Sequence, residues 1–256
     1  MSRALSISDV ARYKPKTMPF DGKWDASFGK PEMAGSWIVW GKSGNGKTRF
    51  ALQLCRYLSQ FGRVAYDSLE EGLSLTMQKS IAEVGMSQAS RRFILLDKEP
   101  IRDDIFTTQY FKEQVKRYLN GFVYDHATSQ LIAQVLKMVQ HKHRHDAAHT
   151  PTCLLERLER QKSPDIVVID SLQYSGMTYA DYRRLRDGFK GKLFVLISHA
   201  SGSEPAGKVA GAIKFDANVK VFVEGYKAFP VSRYGGGAPF TIWEEGAERF
   251  YGVNNE

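Results

Sequence analysis

A glycine-rich segment directly after a short apolar run constrains this chain more than any other feature. The run Ser36–Trp40 is flanked by glycines, and the segment Gly41–Thr48 reads GKSGNGKT. After it, apolar residues recur at helical spacing from Ala51 to Phe61, and Gly62 is placed to cap the helix end. The pattern predicts a buried strand, a tight turn and an amphipathic helix. In that context, backbone N–H groups at a helix N-terminus can surround phosphate groups.

The residues of this segment predict a site for ATP and Mg²⁺. Lys47 is expected to reach the β and γ phosphates, and the Thr48 hydroxyl is expected to ligate Mg²⁺. The cofactor-binding residues are predicted to be Gly41, Lys42, Ser43, Gly44, Asn45, Gly46, Lys47 and Thr48. The alternative interpretation is a glycine turn without a ligand.

Two further apolar runs end in acidic residues that such a site needs. The run 165–170, DIVVID, places Asp170 at the carboxyl edge of a sheet. There its carboxylate can provide a second magnesium-binding group besides the Thr48 hydroxyl. The run 63–68 is followed by Glu70 and Glu71, and either could orient or deprotonate an attacking water. We prefer Glu70 as the catalytic residue. The alternative is a pair of solvated acids that open a helix and suit its dipole.

The order of the apolar runs predicts the fold class. Runs at 36–40, 63–68, 92–97, 165–170 and 192–198 alternate with helical segments, which favours a mostly parallel, doubly wound α/β sheet. Runs at 219–225, 228–233 and 240–243 follow one another with short turns and predict an antiparallel C-terminal edge. Residues 1–35 are predicted to be an extended leader that packs on the core. Residues 36–256 are then one ATPase domain with a helical insertion at about 100–162.

Composition and charge limit the cellular location and the partners that the protein can have. No apolar run approaches the roughly 18 residues that span a bilayer, and the N-terminus lacks the apolar core of a secretion signal. Cys55 and Cys153 do not make a disulfide framework, so we expect a cytoplasmic protein of a bacterial or phage-infected cell, without a membrane partner. The formal net charge of +8 suits a polyanionic partner, although many basic proteins bind no nucleic acid.

The segments described above, taken in order, resemble the RecA-like family of phosphate-loop ATPases, which includes recombinases and ring-shaped helicases. The small single-domain members from bacteriophages and mobile elements are the most similar in form. The segments that carry the resemblance are SFGKPEMAGSWIVWGKSGNGKT (27–48), VAYDSLEEG (64–72), VVIDSLQ (167–173), FVLISHASG (194–202), AGAIKFDANVKVFV (210–223) and SRYGGGAPFTIW (232–243). The resemblance implies a RecA-like fold, ATP hydrolysis with Glu70 as the catalytic acid, and self-association into a ring or filament.

Two positions depart from the pattern of this family. His199 stands where relatives usually carry a glutamine that senses the γ-phosphate, so a titratable imidazole replaces an amide. Helicase relatives also have a lysine two residues before the finger arginine, whereas this chain has Val231. Arg233 is then the sole candidate finger, and the resemblance implies that it acts in trans on a neighbouring subunit. The alternative for His199 is a histidine whose hydrogen bonds are satisfied within the core. The alternative for Arg233 is a surface arginine without a role.

Three segments are candidates for contact with other ligands. In the family, the loops matching 173–186 and 200–211 hold DNA; the first mixes tyrosines with Arg183, Arg184 and Arg186, and the second is expected to be flexible and offers Lys208. Tyr182 could instead face the core. The segment 141–149, HKHRHDAAH, is more typical of a solvated face than of a metal site.

The sequence therefore predicts an ATPase that couples turnover to handling single-stranded DNA in recombination, annealing or replication. One alternative is a regulatory ATPase that assembles on protein partners without DNA. A second is a small-molecule kinase in which the arginines near residue 184 form a lid. The extra strand implied between the strands of Gly41 and Asp170, together with Glu70, argues against the kinase.

Overall fold

The computed structural model describes residue 4 and residues 6–89, 91–102 and 153–252. The chain divides into two compact units, Met1–Asp97 with Pro164–Glu256 and, separately, Lys98–Ser163. Most of the predicted insertion at about 100–162, and the whole histidine segment 141–149, lie outside the described residues. Within the described part of the second unit, Arg157 makes an ion pair with Glu99, at 2.6 Å between Nη2 and Oε2.

Helices and strands alternate along most of the first unit. The helices are α1 (Ile7–Arg12), α2 (Gly22–Phe28), α3 (Lys47–Leu58), α4 (Leu75–Val84), α5 (Leu154–Glu159, in the second unit), α6 (Tyr179–Gly188), α7 (Lys208–Asp216) and α8 (Glu244–Gly252). The strands are β1 (Gly35–Gly41), β2 (Val64–Ser68), β3 (Phe93–Asp97), β4 (Ile166–Asp170), β5 (Leu193–Ser201), β6 (Glu204–Pro205), β7 (Val219–Glu224), β8 (Lys227–Ser232) and β9 (Phe240–Thr241). Every strand predicted from the sequence is present, with ends within a few residues.

The described strands form one sheet in the order β3-β2-β4-β5-β1-β7-β8-β9, with β6 paired to β5. The first six strands of this order (β3, β2, β4, β5, β1 and β7) run parallel, whereas β8 and β9 add an antiparallel edge. This arrangement confirms the predicted α/β class with its antiparallel C-terminal edge. The predicted extra strand is also present, because β5 lies between β1 and β4.

The central strands are apolar because helices cover both faces of the sheet. All residues of β2 and β4 are buried, including Asp67, Ser68 and Asp170. Parallel strands end at the same edge, so the loops after β1, β2, β4 and β5 meet at the carboxyl edge of the sheet. This edge is where the predicted functional residues lie.

The predicted leader supplies part of the core. Its described part is not wholly extended, since it contains α1 and α2. Trp24 of α2 stacks on Tyr57 of α3 with ring centroids 4.7 Å apart, and Phe28 stacks on Trp37 of β1 at 5.4 Å. Helix α2 was not predicted, because a seven-residue helix is too short to show a clear apolar period.

One helix end differs from its prediction. Helix α3 ends at Leu58, with Ser59 in the cap position, so Gly62 does not cap it. Gly62 instead allows a close approach, since a Cβ there would lie 2.5 Å from the Cε of Met33 and 3.0 Å from the Cβ of Asp165.

Candidate nucleotide site

The glycine-rich segment forms a turn between β1 and α3, as predicted. Gly46 precedes the helix with φ +92°, and Gly44 has φ +77°, conformations that favour glycine. No side chain caps the first turn of α3, so its N–H groups remain available for an anionic ligand. A Cβ at Gly41 would lie 2.1 Å from the carbonyl oxygen of Val223, so this position also requires glycine.

The turn between β7 and β8 fixes the loop from one side. The backbone N–H of Gly225 donates to Oδ1 of Asn45 at 2.7 Å, and the N–H of Tyr226 donates to the Asn45 carbonyl at 3.3 Å. Asn45 therefore holds the loop against the antiparallel edge of the sheet. The predicted cofactor-binding role of Asn45 stays a prediction, and its backbone can line the phosphate site.

Lys47 bonds to the loop and lies within electrostatic range of the two predicted carboxylates. Its Nζ donates to the carbonyl of Lys42 at 2.9 Å. Burial lowers the pKa of Lys47, whereas the charges of Asp170 and Glu70 act in the opposite direction. The electrostatic coupling indicates that Lys47, Glu70 and Asp170 share one environment at the carboxyl edge.

Asp170 lies buried at the end of β4. The hydroxyl of Tyr66 donates a hydrogen bond to its Oδ2. Burial raises the pKa of Asp170 to about 6; the Tyr66 hydrogen bond opposes this shift, Glu70 adds to it, and Lys47 opposes it. A buried carboxylate next to a second carboxylate is an unfavourable arrangement that a cation would relieve.

Glu70 is held by two side chains from neighbouring strands. Its Oε2 accepts a hydrogen bond from the hydroxyl of Ser171 at 3.2 Å and lies 3.0 Å from Nε2 of His199. His199 itself is aligned with Gly41 in the pairing of β5 with β1. His199 therefore lies next to both the loop and Glu70, close to the other predicted site residues.

Glu71 has a different environment from Glu70. Its Oε2 accepts from the hydroxyl of Thr76 at 2.7 Å and from that of Ser74 at 3.3 Å. Ser74 is the N-cap of α4, and its hydroxyl accepts from the N–H of Met77. Glu71 therefore belongs to the start of a helix, as the alternative interpretation of the two acids proposed.

Gln173 joins the two loops that flank Glu70 and was missed at the sequence level. Its Nε2 donates to Oγ of Ser198 at 2.9 Å and to the carbonyl of Ala206 at 3.0 Å. Its Oε1 accepts from the backbone N–H of His199 at 3.1 Å. One amide side chain from the loop after β4 thus holds both ends of the β5–β6 hairpin. No local pattern marks this role, because its partners lie far along the chain.

Arg233 lies at the opposite edge of the sheet from the loop of its own chain. Val223 of β7 aligns with both Gly41 and Ala228, whereas Val219 at the other end of β7 aligns with Ser232. Roughly 15 Å of strand therefore separates Arg233 from the level of the loop. Its exposed side chain is not brought to the other predicted residues, and action in trans stays a prediction.

The two predicted DNA loops are more structured than their sequences indicate. Tyr182 is 1% exposed and hydrogen bonds Ser36 at 2.8 Å, so it belongs to the core. Arg183 pairs with Asp187, and Arg186 pairs with Asp187 and Asp216. Arginines already paired with carboxylates are poorly prepared to act as a phosphate-clamping lid, which weighs against the kinase alternative.

The segment 200–211 forms a hairpin rather than an open loop. Ser201 aligns with Glu204 in the pairing of β5 with β6, and the Nε1 of Trp40 donates to the Ser203 carbonyl at 2.9 Å. Lys208 begins α7. From the loop after β4, the 58% exposed Tyr174 remains available for stacking, and Arg184 is exposed on α6.

The donor groups at this edge fit magnesium. A buried carboxylate at Asp170 and the hydroxyl of Thr48, in the first turn of α3, are hard oxygen donors, which Mg²⁺ prefers. Among the described residues, no group of three or more histidine, cysteine or acidic side chains is placed to hold a metal ion. In that same part of the chain, no helix is both long and apolar enough to cross a membrane.

The fold and this edge define an α/β protein with a phosphate-loop motif at the carboxyl end of its central strand. No family model and no curated protein match the chain. Among solved structures, it is similar to a KaiC-like protein from the hyperthermophilic archaeon Pyrococcus horikoshii OT3. The identity is 14%, the TM-score is 0.42, and the match covers 87% of this chain and 88% of that chain. The functional assignment therefore depends on the loop, the strand order and the buried carboxylates of this chain.

Proposed function

We propose that this protein is a magnesium-dependent ATPase of the RecA-like class that couples ATP turnover to handling single-stranded DNA. The proposal is supported by the backbone N–H of Glu70, which donates to the Asp170 carbonyl at 3.2 Å, and by the charges of Glu70 and Asp170, which both act on Lys47 beside the glycine-rich turn. These residues come from three separated elements, α3, β2 and β4 with their following loops. The strand order supports the same conclusion, because the inserted β5 brings His199 next to both Gly41 and Glu70.

In the proposed reaction, each residue has a distinct task. Lys47 and the N–H groups of the turn bind the phosphates, and Glu70 orients and deprotonates the attacking water. The described contacts of the Glu70 carboxylate engage Oε2, so Oε1 is the oxygen that can accept from water. Thr48 and Asp170 would hold Mg²⁺, which when bound neutralises charge on the β and γ phosphates.

The first experiment tests the nucleotide site. Lys47→Ala is expected to lower ATP turnover by about a hundredfold or more, since it removes a cation from the transferred phosphate. Lys79→Ala, which removes an exposed lysine of α4, is the matched control and is expected to leave turnover unchanged. Wild-type turnover in the Lys47→Ala protein would reject the site.

The second experiment tests the DNA partner. The loops after β4 and β5 are joined by Gln173 and reach Glu70 through Ser171 and His199, so a ligand on these loops can alter the position of Glu70. We expect single-stranded DNA to stimulate ATP turnover at low salt, with the effect falling as salt rises. Assembly with ATP but no stimulation and no DNA affinity would instead favour the regulatory ATPase.

Arg233 provides a third test, since it can reach a nucleotide only on another copy of the chain. Arg233→Ala is expected to lose turnover, as is Lys47→Ala. Mixing the two inactive proteins should restore part of the activity, because one supplies the arginine and the other supplies the intact phosphate site. An absence of recovery, with both proteins shown to co-assemble, would contradict the finger role.

A further inference from the structure

Tyr66 shares one face of the sheet with Asp170 and is long enough to reach it. Strands β2 and β4 are parallel neighbours in which Ser68 aligns with Asp170 and Tyr66 aligns with Val168. Side chains two residues apart on a strand lie on the same face, so Tyr66 is the diagonal neighbour of Asp170. An aromatic side chain is long enough to reach a diagonal neighbour on the adjacent strand. The small side chain of Ser68 stands between them in the row.

The hydroxyl of Tyr66 is committed to this contact. Tyr66 is fully buried within the core beneath α3, and its hydroxyl donates to Oδ2 of Asp170. A buried tyrosine hydroxyl needs a partner, and a carboxylate is a strong acceptor. The contact therefore fixes the rotation of the Asp170 carboxylate. With Oδ2 engaged, Oδ1 is the oxygen that can be directed toward the ligand side.

We propose that Tyr66 is a positioning residue that orients the Asp170 carboxylate for the magnesium–nucleotide complex. This inference rests on the proposed function, in which Asp170 faces Mg²⁺. Groups that hydrogen bond a metal-binding side chain orient it, and their loss lowers metal affinity or activity by about 10-fold to 100-fold. Tyr66 is then part of the site although it touches neither nucleotide nor metal.

The test compares Tyr66→Phe with the wild type in nucleotide binding, followed by a fluorescent ATP analogue at increasing Mg²⁺. Removal of the hydroxyl is expected to raise the Mg²⁺ concentration for half-maximal tight binding by about tenfold or more. Affinity for the analogue in the presence of a chelator should stay unchanged. ATP turnover should show the same increased Mg²⁺ requirement, with kcat recovering at high Mg²⁺. An unchanged Mg²⁺ dependence would overturn the proposal.

Tyr182→Phe is the matched control, because Tyr182 is equally buried and its hydroxyl bonds Ser36 away from the site. It should leave the Mg²⁺ dependence unchanged. Replacement of Tyr66 by 4-aminophenylalanine keeps a donor at the ring para position and should restore the wild-type Mg²⁺ dependence. If the loss came only from disturbed packing, Tyr182→Phe would show a similar shift, and this outcome would also reject the proposal.

A second comparison keeps the test decisive if Tyr66→Phe does not fold. The double variant Tyr66→Phe, Asp170→Asn removes the donor and the charge together, which is far less disruptive than leaving a buried charge without its donor. Compared with Asp170→Asn alone, it should bind the analogue equally well at every Mg²⁺ concentration. A further loss would show that Tyr66 acts by another route. If wild-type protein binds no ATP analogue, the proposed function itself fails, which is a distinguishable result.

Discussion

Two aspartates bracket the same strand, β4, and their surroundings are opposite. Asp165 precedes the strand at the amino edge, where its half-exposed carboxylate accepts the backbone N–H of Arg63 at 2.8 Å and lies 3.6 Å from the Arg63 Nε. Asp170 ends the strand at the carboxyl edge, where it is buried beside Glu70 and its pKa is raised to about 6. One acid is placed to stabilise the fold, and the other is placed where its charge is unfavourable without a ligand.

The same contrast extends along both edges of the sheet. At the amino edge, Lys192 donates to the carbonyl of Pro164 at 2.6 Å, and Tyr182 hydrogen bonds Ser36. At the carboxyl edge, the charges of Glu70 and Asp170 both act on Lys47, and Glu70 helps to raise the pKa of Asp170. Functional sites commonly concentrate such unfavourable groups, and their replacement often stabilises a protein while abolishing activity. The four predictions below test this division, from the largest expected effect to the smallest.

Glu70→Gln should have the largest effect on activity. It removes the base that accepts a proton from water, and we expect turnover to fall by about 10²–10⁴-fold. Binding of ATP should persist, because Lys47 and the glycine-rich turn are intact. Turnover assays and nucleotide binding measure the two effects. Glu71→Gln is the matched control, and a comparable loss in that variant would contradict the assignment of Glu70.

Asp170→Asn should stabilise the protein in the absence of nucleotide and magnesium. The folded-state pKa of about 6 exceeds the ordinary 3.8, so the folded protein binds more protons between these values than the unfolded one. The free energy of unfolding therefore falls as pH rises through this window and stays low above about pH 6. Asparagine removes the charge, and we expect a gain of up to about 3 kcal/mol at pH 7.5, measured by denaturant unfolding.

The comparison variant for this prediction is Asp165→Asn, at the other end of β4. It weakens contacts with Arg63 and should lower the free energy of unfolding by roughly 0.5–1 kcal/mol at the same pH. Unfolding curves at pH 4.5 and 7.5 should show that the advantage of Asp170→Asn shrinks at the lower pH. If both variants destabilise the protein equally at pH 7.5, the contrast between the two edges is wrong.

His199→Gln should reduce turnover by roughly tenfold, which corresponds to about 1.4 kcal/mol in the barrier. Glutamine keeps a polar side chain at this position, but its amide is placed differently from the Nε2 that lies 3.0 Å from Glu70. Unfolding measurements should show little change, since the side chain is partly exposed. A variant with full turnover would indicate that Ser171 alone positions Glu70.

Tyr182→Phe should have the smallest effect and only on stability. It removes the hydrogen bond to Ser36, and we expect the free energy of unfolding to fall by about 1 kcal/mol. Turnover at saturating Mg²⁺ should not change, because Tyr182 lies away from the carboxyl edge. A loss of turnover without a loss of stability would show that the amino edge also takes part in activity.

The sequence predicted the principal chemical groups of the site but not the side chains that support them. The turn at Gly41–Thr48, Glu70 and Asp170 follow apolar runs, so their common edge can be deduced from parallel strands. Tyr66 and Gln173 were missed because their partners, Asp170 and Ala206, are identified only by strand register and loop packing. The pairing of Arg186 with Asp216 was also missed, since Asp216 is distant in the chain.

The amino-acid sequence by itself determined which strands form and at which edge the polar residues lie, because apolar runs, glycines and chain direction are local properties. Tertiary structure alone decided which oxygen of each acid is engaged, that Glu71 belongs to a helix cap, and that Arg233 faces away from its own phosphate loop. Those outcomes depend on strand order and on the packing of side chains far apart in the chain. Local patterns of apolar and polar residues carry no record of such contacts.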